Sequence, residues 1–399
     1  MKNRFTALLI FLFCMSSSLA NGNYLEYHRK VIEIEERFLD GRLEQALGAY
    51  KRLFESYQPF ARDAFIALQL ACMKGDSAYA FYFLKKSFRA GVPWTYTDRV
   101  SHIHRFLKKS PSIERRARKI FEEENAAYNS KLNHQLRVDF KARSATDDLE
   151  KKRLVQRLDW LHEWTVRHPD SFQLLYGKEL MSNPVLQRYA ARPKETFDSA
   201  YFEFLKRLTI KRFKPIEFEK RYVQVLDSNL LAVITISKEL GYVPGERTTG
   251  IIDWENSHSV GYMFMVPQVV HLLYHHGCGY WLLNDELQES VRRGELHPRI
   301  YLCLHDFSYC MLKDASNDNS HTNFQRSMKV RCEYPVRTTD YRIVNIAGCI
   351  EPQRPDTDVI NFLRDEWAVS SIEHDLRKKG FAEKHNLVLS FGIFLGEEL

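Results

Sequence analysis

DGRLEQA, residues 40–46, and KGDSAYA, residues 74–80, carry the reading that decides the fold. Each puts a glycine at a turn and an alanine five residues on, and the two copies lie 34 residues apart. Glycine accepts the left-handed backbone of a helix end at no steric cost. A small alanine lets paired helices approach closely. Apolar residues at helical spacing follow each alanine: Leu47, Tyr50 and Phe54, then Phe81 and Leu84. The pattern predicts paired helices over residues 24–92.

This period resembles that of tetratricopeptide repeats, with two units visible and without the Trp-Leu-Gly-Tyr pattern that opens such repeats. Two units are fewer than a free-standing array needs, so they are expected to pack on the helices that follow. Residues 99–142 read as further helix, broken near Ser110-Pro111. Ser144-Ala-Thr-Asp147 has capping-box spacing and predicts a new amphipathic helix through Leu149, Leu154, Val155, Leu158 and Leu161, ending by His168-Pro169. Residues 171–220 are less regular helix. RYVQVLDSNLLAVITISKEL, 221–240, is a strongly apolar helix stopped by Gly241. Pro267 opens a helix through His276, Asn284 or Asp285 caps one over 286–293, and Pro298 opens another over 299–312. Two β-rich runs within 328–346 predict a hairpin. Helix returns over 356–379, and 387–395 is a buried strand or a docked tail. The expected fold is mostly α: a tetratricopeptide-like helical module over 21–125, a helical connector over 126–220, and a compact helical domain with a small β-hairpin element over 221–399.

The N-terminus reads as a processing signal. Lys2 and Arg4 precede the apolar run 7–15, and Ser18-Leu19-Ala20 supplies small residues for cleavage. Nine apolar residues fall short of the ~20 that cross a bilayer as helix. Bulky residues before Cys14 argue against a lipid anchor. Residues 1–20 are therefore expected to be a signal peptide, and the protein exported, periplasmic or envelope-associated, with no membrane span. Losing Lys2 and Arg4 takes the net charge from +7 to +5. The basic clusters alternate with acids and apolar residues, so they read as solvated helix faces, and no nucleic-acid partner is expected. Of the cysteines, Cys72, Cys278, Cys303, Cys310, Cys332 and Cys349 remain. An oxidising compartment permits disulfides, but spacing selects no pairing. Cys303 and Cys310 on one helix would stand ~10 Å apart, too far to bridge.

His271 and His275 share one helix face at metal-ligand spacing, with His305 or Asp306 as a third ligand. Against a metal, His275 and His276 in a last helical turn can cap carbonyls, and no HExxH motif is present. Asp227 and Asn229 lie mid-helix among apolar residues and need partners. His305 and Asp306 point about 100° apart on a helix and are expected not to serve each other. Asp306 would then pair with a residue such as His276 or Arg292. No glycine-rich phosphate loop, GxSxG or SxxK motif occurs. No cofactor is expected; a divalent metal at the histidines is the alternative.

Taken in order across 221–310, Asp227-x-Asn229, Gly241-Tyr242-x-Pro244, His276, Gly294-Glu295-x-x-Pro298 and Leu304-x-Asp306 resemble a widespread bacterial domain-of-unknown-function family, number 6624. Asn361-Phe-Leu-Arg364 to Gly380-Phe381 echoes the family's tail. Asp139 to Arg143 matches a segment ahead of its core, with 145–220 an insertion. His275 stands where the family has Gln, and Phe307 where it has Arg. The resemblance implies a helical domain of no established activity and singles out Asp227, Asn229, His276 and Asp306. The expected function is a binding or scaffold protein with a protein or peptide partner. The alternative is a hydrolase, metal-assisted through His271 and His275, using His276 with Asp306 or Asp227.

Overall fold

Helix α1 (Tyr24–Leu39) starts where Asn23 accepts the amide of Leu25, the usual stabilisation of an otherwise orphaned first-turn donor. Tyr27, Val31, Ile34 and Phe38 form its buried stripe. The computed structural model describes residues 23–167, 217–252, 265–316, 329–332, 341 and 356–389, and they are mostly helical. Helices α2 (Leu43–Ser56), α3 (Ala61–Lys74) and α4 (Ser77–Arg89) follow. Gly41 and Gly75 both take a φ of 81°, and Asp76 caps α4 through the amides of Ala78 and Tyr79. Ala46 and Ala80 are fully buried. Residues Ala61 to Cys72 of α3 are buried on every side, which explains why this helix lacks a polar face. Helices α5 (Trp94–Arg99), α6 (Ser101–Leu107) and α7 (Pro111–Asn129) complete this layer.

Helix α8 (His134–Arg167) corrects the sequence reading: Ser144 and Asp147 open no helix but lie inside a continuous one. Phe140, Ser144, Asp147 and Glu150 recur three or four residues apart and are all buried, so this face turns inward. The punctuated helices appear as α9 (Glu217–Leu240), α10 (Gln268–Tyr274), α12 (Asn284–Arg293) and α13 (Pro298–Ser316), with a short unpredicted α11 (Gly279–Leu282) between them. Leu283, not Asn284 or Asp285, precedes α12, and it makes no side-chain cap. The single helix expected over 356–379 is two, α14 (Thr357–Glu366) and α15 (Ile372–His385). They are separated at Ala368, whose φ is 52°. Of the predicted hairpin only 329–332 and 341 are described, and they form no strand. The predicted signal and residues 168–216 lie outside the described residues. No described helix is long and apolar enough to cross a membrane.

Helices α1–α7 share one core, which also takes in Ile251, Met265, Leu387 and Leu389. A second core forms from α9 to α13 with Phe140, Ile252 and Val369. Residues 387–389 dock as a tail: Gln69 accepts the amide of Val388 at 2.8 Å and donates to its carbonyl at 2.6 Å.

Two of the quoted motifs prove to be one mechanical unit. The Glu295 carboxylate accepts the amides of Gly245, Arg247 and Thr248 and the Thr248 hydroxyl, at 2.7–3.2 Å. Gly245 sits so close that a Cβ there would lie 2.0 Å from the Glu295 carbonyl oxygen. The adjacent Glu246 accepts the Ala61 amide at 2.7 Å, capping α3 from a distant loop. Burial pushes its carboxyl up to about 8.

Candidate functional site

Asp227 and His276 meet. Asp227 projects from the apolar middle of α9, and His276 follows the end of α10. The imidazole donates through Nε2 to Asp227 Oδ1 at 3.0 Å. The same carboxylate accepts the amides of Lys329 at 2.8 Å and Val330 at 3.1 Å. These amides belong to the segment that Cys332 ties to Cys278 by a disulfide, across a sequence separation of 54. Burial lowers the His276 pKa, against the opposing pull of Asp227; with its Nε2–H given to Asp227, the neutral form of the ring presents Nδ1 as an acceptor. That Nδ1 has no hydrogen-bond partner among the described residues, and neither does the amide nitrogen of Asn229. His276 is 1% exposed, so bulk water does not reach the pair.

Asp306 accepts from His305 Nδ1 at 3.1 Å and from the Tyr341 amide at 2.9 Å. This overturns the expectation that neighbouring His305 and Asp306 cannot serve each other. Nδ1 and Oδ1 each lie two bonds from Cβ, so short side-chain rotations close the gap that helical divergence opens. Asp306 thus does for residue 341 what Asp227 does for 329 and 330: a buried acid holds backbone amides that have no strand partner among the described residues.

The acid that joins His271 and His275 comes from α8. His275 Nδ1 donates to Asp147 Oδ2 at 3.0 Å, and His271 Nε2 lies 3.3 Å from Asp148 Oδ1. His275 therefore caps no carbonyl with its ring. Its rear nitrogen, Nε2, faces Lys151 Nζ at 3.4 Å. Burial lowers the pKa of His275, with Asp147 opposing. Burial resists ionisation of Asp148, but the hydrogen bond and charge of His271, with His275 and Lys151 nearby, outweigh it and lower its pKa. Asp147, His271 and His275 are all buried, and each offers a ligand atom within 4.8 Å of the others.

A third polar assembly is one the sequence reading missed. Glu35 on α1 accepts His374 Nε2 at 3.0 Å and also Lys378 Nζ, while Glu36 takes His374 Nδ1 at 2.6 Å. Burial opposes a charged His374, but the two glutamates outweigh it and raise its pKa. Burial likewise resists ionisation of Glu35, yet Lys378 and His374 hold its carboxyl down to about 2. Asp375 accepts two bonds from Arg299 and one each from Arg364 and Ser370, at 2.7–3.0 Å. Beside this network His28, Asp63 and His297 line a cavity of about 30 Å³ with Arg62 and Arg299. These three also stand at metal-ligand distances. His297 Nδ1, however, accepts the Arg299 amide at 3.1 Å, and the surrounding guanidinium groups repel a cation. Burial pushes Asp63 up to about 6 and His28 well down.

Searches of family models, curated proteins and solved structures find no match to this chain.

Proposed function

We propose that the protein is a non-catalytic binding or scaffold protein of the bacterial envelope, whose tetratricopeptide-like helix pairs hold a protein or peptide partner. One observation carries this reading. Asp227 and Asp306, the acids best placed for catalysis, each hold a histidine and backbone amides of the 329–341 segment, so their oxygens serve the fold. Export is supported by the apolar run after Lys2 and Arg4. The Cys278–Cys332 bond adds to this, since disulfides persist in oxidising compartments. The likeness to the unknown-function family 6624 belongs to the same proposal.

The helix pairs end in an open cleft of about 270 Å³ lined by Tyr57, Gln58, Pro59, Lys86, Arg89 and Lys131. Glu55 lines the same cleft and Arg89 is paired with Glu124, so the lining holds three cations against one acid; burial and the Arg89 charge lower the Lys131 pKa. An acidic peptide segment complements such a cleft. To test this, the chain from residue 21 onward is titrated with fluorescent Glu-rich, Lys-rich and neutral peptides at ~0.15 M salt. Only the Glu-rich peptide should bind, and Lys86→Glu with Lys131→Glu should weaken it by about tenfold or more. Equal affinity for all three peptides, or none for any, overturns the reading.

One observation favours the hydrolase as second reading: the unpartnered Nδ1 of His276 behind an aspartate-oriented ring. A hydrolytic activity that disappears in His276→Ala would establish it.

A further inference from the structure

Within the α8–α10 cluster, one oxygen does not fit a purely structural role. Asp147 is 0% exposed. Its Oδ2 is engaged by His275 Nδ1, and the Tyr222 phenol lies by the carboxylate, yet Oδ1 has no hydrogen-bond partner. Leaving a buried carboxylate oxygen unsatisfied is costly, and a bound water or ion is one way native proteins satisfy such an atom. Two imidazoles stand beside this carboxylate, each with a nitrogen within 4.8 Å of one of its oxygens. The rings of His271 and His275 stand 4.3 Å apart, one helical turn from each other on α10. Tyr274 packs on the His275 ring at 4.2 Å and screens that side.

We propose that Asp147, His271 and His275 form a binding site for a divalent cation of the zinc class, clipping α8 to α10. Two imidazole nitrogens and one carboxylate select borderline transition cations over magnesium or calcium, which prefer all-oxygen shells. Four-coordinate zinc takes three such protein ligands and keeps a fourth position for water or a further oxygen. Asp148, half-exposed at the rim and already 3.3 Å from His271, is placed to fill or orient that position. Ligand atoms around tetrahedral zinc stand ~3.4 Å apart. The separations here stay within 4.8 Å, so closing the site takes side-chain rotations of about an ångström. The cation takes the place of the proton that His275 shares with Asp147, and that proton is released to solvent. Lys151 is exposed at the surface, so its ammonium group can swing into water as the cation enters. This inference is independent of the scaffold reading. A scaffold can carry a structural metal, and peptide binding at the Lys86 cleft is measured separately.

The decisive experiment is equilibrium dialysis of the tag-free, chelator-stripped chain against zinc chloride. One equivalent should bind, with proton release, and roughly 100-fold excess magnesium should not compete. Asp147→Asn and His271→Gln should each weaken binding about tenfold or more, while His305→Gln leaves it unchanged. Absence of stoichiometric binding, competition by magnesium, or an equal loss in His305→Gln overturns the site. If the cluster variants do not fold, cobalt(II) on the native chain decides. Intense visible absorption of a four-coordinate site supports the proposal, and the faint bands of a six-coordinate aqua-like ion defeat it.

Discussion

The α1–α15 junction and the α8–α10 cluster are both buried gatherings of acids and bases that join segments distant in sequence, but they differ in how fully they are satisfied. At the junction both Glu35 oxygens and both Asp375 oxygens are engaged by charged donors. At the cluster, His275 takes one oxygen of Asp147 and the other has no partner. A network whose acid oxygens are all taken holds segments together and has no carboxylate left to offer a cation. An unsaturated one, in the same low-dielectric surroundings, keeps a coordinating atom available.

The largest expected effect lies at the junction. Glu35→Ala leaves Lys378 buried without its counter-charge and His374 with Glu36 alone, and should cost ~3–5 kcal/mol, read as a shifted urea midpoint. A cost near zero would mean that the junction charges are not held together in solution. Asp227→Ala should follow at ~2–3 kcal/mol, because it orphans two backbone amides and the His276 nitrogen at once. Circular dichroism melts of this variant with Cys278–Cys332 intact and reduced will show whether acid and disulfide fasten the same segment, since coupled changes then fall short of additive.

The pH dependence sets the junction against the loop that caps α3. Glu35 is held down to about 2 from 4.5, so its stabilisation is complete above its ordinary value and is lost as pH falls toward 2. Asp63 and Glu246 run the opposite way. Raised to about 6 and about 8, they contribute fully below their ordinary values, and that contribution is lost as pH rises through 6 and then 8. Glu246→Gln keeps an acceptor for the Ala61 amide without the buried charge. It should stabilise by roughly 1–2 kcal/mol at about pH 9 and change little at about pH 5. Thermal melts at the two pH values check this, and a gain of equal size at both would refute the assignment.

Asp147→Ala, without added metal, should cost only about 1–2 kcal/mol, since the bonds to His275 and the Tyr222 phenol are lost but one unsatisfied oxygen is removed with them. A loss as large as that of Glu35→Ala would erase the distinction between the regions. The smallest effect is expected at the surface. Lys30→Ala breaks the solvent-exposed Lys30–Glu26 pair and should leave the urea midpoint unchanged.

How much of this was legible depends on the range of the interaction. The helix pairs followed from Gly41, Gly75 and the apolar spacing, which are local signals, and α9 to α13 from their proline and glycine punctuation. Asp147 was misread because Ser144 and Asp147 have capping spacing. The competing stripe Phe140, Ser144, Asp147 and Glu150 was present in the sequence but is polar enough to pass for a surface. Glu35 shares the inward stripe of Tyr27, Val31, Ile34 and Phe38, so its burial could have been read, though not its partners. His374 and Lys378, more than 330 residues away, carry no local mark that they pair with it.

By itself, the sequence determined that this chain is built mainly of helix and where many of those helices start and stop, because periodicity, small residues and turn residues act within a few positions. Only the tertiary structure decided which buried acids are saturated and which are not. That depends on acids of α1, α8 and α15 meeting donors that α10, α13, α14 and α15 bring to them, and a charge in a dry interior is governed by its neighbours in space.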